Sequence, residues 1–188
     1  VLLLDQSRSM GLFNNFQAAK KVTLALMALI RSQYPRDTIY TIGFSDYARE
    51  IKEEDLAKIS WNAWVSGTNM HHALMLSRQL LSKQKAATKQ ILMITDGEPT
   101  AHLEGDRAYF SYPPSFRTEQ ETLKEVKRCT QEDILINTFM LENSYQLVNF
   151  VDRLTRINRG RAFYSSSGNL GEYVLVDYVQ NRRKKVMA

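Results

Sequence analysis

One cysteine, Cys129, stands in 188 residues, so an intrachain disulfide is impossible. That scarcity suits a reducing, cytoplasmic setting. Long apolar runs are also missing. The longest, Val22 to Ile30, contains Thr23 and stops at Arg31, far short of the roughly 20 residues that a membrane helix needs. It reads as a buried helix face, and no membrane partner is expected. No Gly-rich phosphate loop of the G-x-x-x-x-G-K type occurs, so the chain is not expected to hydrolyse ATP itself. No signal peptide, internal repeat or linker-like stretch is read within the sequence, and residues 1–188 are expected to be a single domain. The chain opens at Val1 inside an apparent strand, without an initiator Met, and is expected to be the C-terminal part of a longer protein.

A strong excess of one charge sign is missing as well. Lys plus Arg number 25 against 20 Asp plus Glu, giving +5, and Arg182, Arg183, Lys184 and Lys185 alone supply four positive charges. The body is almost neutral, so no nucleic-acid partner is expected and the basic run reads as a solvated tail. With 44% hydrophobic and 24% charged residues, the chain has the balance of a domain with a real core.

Val1 to Asp5 (VLLLD) and Lys89 to Asp96 (KQILMITD) share one pattern: an apolar run that stops on an aspartate. Such runs suit strands buried on both faces. Ile134 to Leu141 is a third run of this kind. Asp37 to Ser45 and Arg161 to Ser165 read as further strands, and Ala48 to Lys52 as a short edge strand. Helical spacing marks Phe16 to Tyr34, a helix opened by Ser66-Gly67-Thr68-Asn69, then Thr118 to Glu132, Tyr145 to Asn158 and Leu170 to Arg183. Glu98 to Phe116 is expected to be irregular. Alternating strand and helix imply an α/β fold: a doubly wound, Rossmann-like, mostly parallel central sheet with helices on both faces. Ligands of such sheets sit at the carboxyl ends of the strands.

Oxygen-bearing side chains gather at those ends. Asp5, Ser7 and Ser9 form D-x-S-x-S after the first strand, with alternate residues expected to turn inward along an extended loop. Thr68 opens a helix, and Asp96 ends the strand ILMITD. Five hard oxygen donors without Cys or His suit Mg²⁺, with Mn²⁺ as substitute, and argue against zinc. Two carboxylates balance the cation, and the remaining donors are neutral hydroxyls. The ion keeps Lewis acidity and a position for an outside ligand, best filled by an acidic side chain of another molecule.

D-Q-S-R-S at 5–9, Thr68 in G-T and Asp96 in T-D-G resemble the metal-ion-dependent adhesion site (MIDAS) of the von Willebrand factor type A (vWA) domain, over essentially the whole chain. The wording is also similar to bacterial vWA proteins related to the D subunit of magnesium chelatase, which work with AAA+ ATPases. The resemblance implies a sheet of about six strands with one antiparallel edge strand, and a metal at its top. It further implies a non-catalytic module that binds an Asp or Glu of a protein partner, coupling to a AAA+ motor, and a monomeric isolated domain. Arg8 stands where the family often has Gly, which makes the rim more basic.

The competing reading is a Mg²⁺-dependent hydrolase of the phosphatase type with Asp5 as nucleophile. Those enzymes need a second Asp two residues on; here it is Ser7, a poor proton donor. Arg8, His71, Tyr109 and Phe110 are candidate partner contacts, the aromatics lying in the long segment from Ala101 to Phe116. His71, His72 and His102 read mainly as surface or helix-start polar residues. Glu98 is a weaker candidate base. Trp61 and Trp64 are expected to pack in the core or at an edge, and Cys129 to be a small buried hydrophobe.

Overall fold

The computed structural model describes residues 1–61, 63–85 and 88–186; the side chains of Arg182 to Lys185, read above as a solvated tail, lie outside the described residues. In chain order the elements are β1 (Leu2–Asp5), a 3₁₀ segment (Arg8–Asn14), α1 (Asn15–Gln33), β2 (Thr41–Phe44), β3 (Ala48–Ile51), α2 (Glu53–Leu56) and α3 (Met70–Ser82). There follow β4 (Lys89–Thr95), β5 (Ala101–Glu104), β6 (Arg107–Phe110), α4 (Phe116–Gln131), β7 (Ile134–Met140), α5 (Tyr145–Asn158), β8 (Ala162–Tyr164) and α6 (Leu170–Val186).

Six strands form one sheet in the order β3-β2-β1-β4-β7-β8. β3 runs antiparallel to β2, and the other neighbours are parallel. The apolar runs become β1, β4 and β7, because only the middle of a doubly covered sheet can bury both faces of a strand. Alternation along β1 sends Leu3 to one layer, with Met70, Leu74, Val126 and Leu154 of α3, α4 and α5. Leu2 and Leu4 point to the other, with Phe16, Leu26 and Ile30 of α1 and Val174 of α6. Chain order reverses between β1 and β4: the chain leaves β1 toward β2 on one side and leaves β4 toward β7 on the other. The loops therefore part above Asp5 and Asp96, and a crevice opens there.

Three expectations on the elements need correction. The strand at Asp37 to Ser45 is only Thr41–Phe44, because β1 begins at Leu2, whose partner is Thr41, and no ladder is on offer earlier. The segment Glu98 to Phe116 is not irregular: Ala101–Glu104 and Arg107–Phe110 pair as an antiparallel hairpin turning at Gly105, whose φ is +60°. The loop after Asp5 is not extended throughout, since Ser9 lies in the 3₁₀ segment. α5 ends as expected at Arg159-Gly160. Arg159 takes the left-handed conformation at φ 60°, and a Cβ on Gly160 would lie 1.7 Å from the Ile136 carbonyl oxygen.

Candidate functional site

Asp5 ends β1 and is fully buried. Its Oδ1 accepts the Ser7 N–H at 2.8 Å, which folds the chain back over the strand end. Its Oδ2 accepts the Thr95 hydroxyl at 2.6 Å. Asp96 follows β4, and its Oδ1 accepts the Ser9 hydroxyl at 2.7 Å across 87 residues of sequence. Ser7 Oγ and Ser9 Oγ lie 3.2 Å apart. The Asn15 amide reaches Asp96 Oδ2 at 3.4 Å. Asp5, Ser7, Ser9 and Asp96 thus form one connected set of oxygens over the crevice.

Thr68 is nearly buried and is fixed through its main chain. Its N–H donates to Thr100 Oγ1 at 2.9 Å, and its carbonyl accepts the N–H groups of Thr100 and Ala101 at 3.2 and 3.4 Å. On the other side the Gly67 N–H donates to Asp46 Oδ1 at 2.9 Å, so close that a Cβ on Gly67 would stand 2.1 Å from that oxygen. Thr68 is therefore clamped between the β2–β3 turn and the foot of the β5–β6 hairpin, with its hydroxyl outside these main-chain bonds.

Burial pushes Asp5 up to about 7, and the Asp96 charge adds to the rise. Asp96 is also raised, again chiefly by burial, against the Ser9 and Asn15 hydrogen bonds that lower it. Two carboxylates are thus held together where their ionised forms repel. A cation between them would relieve both effects. Among the described residues no group of three or more His, Cys, Asp or Glu is placed to hold a metal. The donors here are two carboxylates and hydroxyls, a set that fits a hard divalent ion.

The other sequence candidates fall in three places. Arg8 is exposed beside the site, and its N–H donates to the Val65 carbonyl at 3.2 Å. Tyr109 and Phe110 are about half exposed on β6, at 47% and 45%. Glu98 is half-buried just after Asp96. His71 is not a rim residue: it is buried, its Nδ1 accepts the Leu103 N–H at 3.2 Å, and burial lowers its pKa. His102 is fully buried and bonded through Nδ1 to Thr118 Oγ1 at 3.0 Å. His71 lies under β5, and His102, on β5 itself, faces inward onto α4. Trp61 packs against Gly11, but Trp64 is 93% exposed, contrary to its expected place in the core or at an edge. With Gln6, Tyr47 and Arg49, the two tryptophans line an open groove of about 540 Å³. Cys129 is buried as expected.

Thr95, Asn15 and Thr100 escaped the sequence reading. Thr95 carried a signal, a hydroxyl residue immediately before the strand-end aspartate. Asn15 and Thr100 carried none, because only the folded chain brings them to Asp96 and Thr68.

The comparisons with known proteins agree with the fold. The family model described as "Rv0959-like protein, vWA domain" matches residues 1–179. The uncharacterized protein Rv0959 of Mycobacterium tuberculosis H37Rv is 34% identical over 188 residues, covering 97% of this chain. The chain spans 28% of that relative's length. Among solved structures, the vWF domain of the type V pili tip protein Mfa5 from Porphyromonas gingivalis has a TM-score of 0.68 at 13% identity, covering 96% of this chain and 93% of that one. Proximal thread matrix protein 1 from the mussel byssus, with a zinc-occupied MIDAS motif, has a TM-score of 0.66 at 15% identity, covering 91% of this chain and 42% of that one. Among the described residues no helix is long and apolar enough to cross a membrane. The chain belongs to the Rv0959-like vWA domain family.

Proposed function

We propose that this domain binds one Mg²⁺, or Mn²⁺ in its place, through Asp5, Ser7, Ser9, Thr68 and Asp96, and uses the ion to capture an Asp or Glu side chain of a protein partner. One observation carries the reading. The Ser9 hydroxyl reaches Asp96 at 2.7 Å, joining two motifs that are 87 residues apart into one oxygen cluster at the strand-order reversal. When bound, the ion supplies a Lewis-acidic position open to an anionic oxygen; octahedral Mg²⁺ keeps waters, so the five donors need not all touch it.

The surroundings favour a protein as the other ligand. Large side chains stand exposed on the segments about this end of the sheet: Phe13 at 81%, Trp64 at 93%, Tyr112 at 76% and Tyr145 at 79%. Exposed aromatic surface around a polar centre is the composition of an interaction face. Arg8 supplies a positive charge at the rim, and Tyr109 and Phe110 supply apolar contacts. His71 is left out, since it is buried under β5.

The phosphatase reading finds no support at Asp5. The residue two on, where such an enzyme needs an acid, is Ser7, and its hydroxyl lies 3.2 Å from Ser9 Oγ within the oxygen cluster. We assign the domain no catalysis of its own. In a reducing compartment, where the lone buried Cys129 stays a thiol, it would couple its partner to a AAA+ ATPase, the role suggested by its resemblance to chelatase-type vWA proteins.

The test is capture of co-purifying protein on the immobilised chain, in Mg²⁺ and in EDTA, for wild type and Thr68→Ala. Capture should need Mg²⁺ and should fall in the variant. Capture that is equal in EDTA would show that partners use another face.

A further inference from the structure

His71 and His72 lie in the first turn of α3, directly after the Thr68 segment. Each turns Nδ1 toward a main-chain N–H of a different neighbouring strand. The Leu103 N–H of β5 donates to His71 Nδ1 at 3.2 Å. The Ala48 N–H of β3 donates to His72 Nδ1 at 3.1 Å. A main-chain N–H can only donate, so both Nδ1 atoms must offer a lone pair. Both rings are then neutral and carry their proton on Nε2.

The two strands held in this way belong to the two walls that clamp Thr68. Ala48 follows the turn in which Asp46 accepts the Gly67 N–H. Leu103 belongs to the hairpin whose foot, Thr100, bonds Thr68. One dipeptide therefore anchors both sides of the crevice to one helix.

We infer that His71 and His72 are a pair of positioning residues that fasten both walls of the crevice only while their rings are neutral, and release both on protonation. An imidazolium places an N–H on Nδ1, where a main-chain N–H already points. Two donors then face each other, and either the ring turns or the wall moves. Glu121 and Glu125 of α4 and His102 of β5 face His71, and Glu104 adjoins His102. The Tyr47 ring packs edge-on to His72, with centroids 6.1 Å apart. Desolvation outweighs the two glutamates at His71, and it lowers His72 as well. A lowered folded-state pKa means that the open state binds more protons. The wall contacts are complete above the ordinary histidine value of about 6.5 and weaken as pH falls below it. The inference is independent of the ion, because it is read in metal-free protein.

The experiment is NMR on the ¹⁵N-labelled 188-residue chain in EDTA. Imidazole ¹⁵N shifts should show the Nε2–H tautomer for both rings at about pH 7.5. Amide protection factors at Ala48 and Leu103 should fall roughly tenfold or more between about pH 7.5 and pH 5, while those of the β1 and β4 core stay constant. In His71→Asn and His72→Asn, the Asn Oδ1 can accept at the place of Nδ1 and does not titrate. Protection at the corresponding amide should then persist at both pH values. An Nδ1–H tautomer at either ring, or wild-type protection that does not change with pH, overturns the inference. The wild-type spectra decide the matter even if an Asn variant fails to fold.

Discussion

The Thr95 hydroxyl donates a 2.6 Å hydrogen bond to Asp5 Oδ2, tying the ends of β1 and β4 together directly beneath the crevice. Asp5 is fully buried, so this bond and the one from the Ser7 N–H stand in for lost water. Thr95→Val keeps the shape and removes the donor. It should cost about 1–3 kcal/mol by leaving a buried acceptor unpaired. Thr95→Ser should recover most of the loss. Urea unfolding of the three proteins in EDTA at neutral pH measures it.

Metal-free stability should carry the mark of Asp5. Its folded-state pKa is raised from 3.8 to about 7, first by burial and then by Asp96. A raised pKa means that the folded state binds more protons than the unfolded chain, so this contribution is full below about 4 and is lost as pH rises through about 7. Asp5→Asn should therefore raise Tm in EDTA at pH 8, and the gain over wild type should shrink toward pH 4. Comparing variant with wild type at each pH cancels the histidine effect, which has the opposite sign. A constant difference across this range would show that Asp5 is not strained by burial.

Thr68 and Gly67 separate ligation from clamping. Thr68 is braced through its main chain, so Thr68→Ala should change stability by less than about 1 kcal/mol while weakening Mn²⁺ binding. Gly67→Ala places a Cβ against Asp46 Oδ1 and should cost about 1–3 kcal/mol, since the loop must shift to admit it. Thermal melts and Mn²⁺ titration of both variants give the two readouts.

Cys129 is buried, and its thiol is pushed up to about 12, mainly by desolvation. The thiolate is the reactive form, so alkylation by iodoacetamide at pH 8 should be negligible in native protein and complete after unfolding in urea. Rapid native labelling, followed by mass spectrometry, would place Cys129 outside the core.

The central strands were legible because burial on both faces leaves a continuous apolar run, as in Leu2-Leu3-Leu4 and Ile91 to Ile94. The aspartates that end β1 and β4 were legible for the same reason, since each interrupts such a run. The β5–β6 hairpin was not. Its mixed polar and aromatic residues, flanked by Pro99 and Pro113, resemble a loop, and its pairing is decided by packing on α3 and α4. The histidines misled because polarity suggests a surface, whereas His71 and His102 are buried with their Nδ1 atoms hydrogen-bonded. Trp64 misled in the opposite sense: its size suggests the core, yet it stands in solvent beside the groove.

Calorimetric titration of Mn²⁺ into the metal-free chain, for wild type and Asp96→Ala, tests the central claim most directly. Wild type should bind one ion, and the variant, which lacks the carboxylate that Ser9 and Asn15 hold in place, should lose at least about tenfold in affinity. Equal binding by the two proteins, or no binding by wild type at millimolar Mn²⁺, would contradict a metal centre between Asp5 and Asp96.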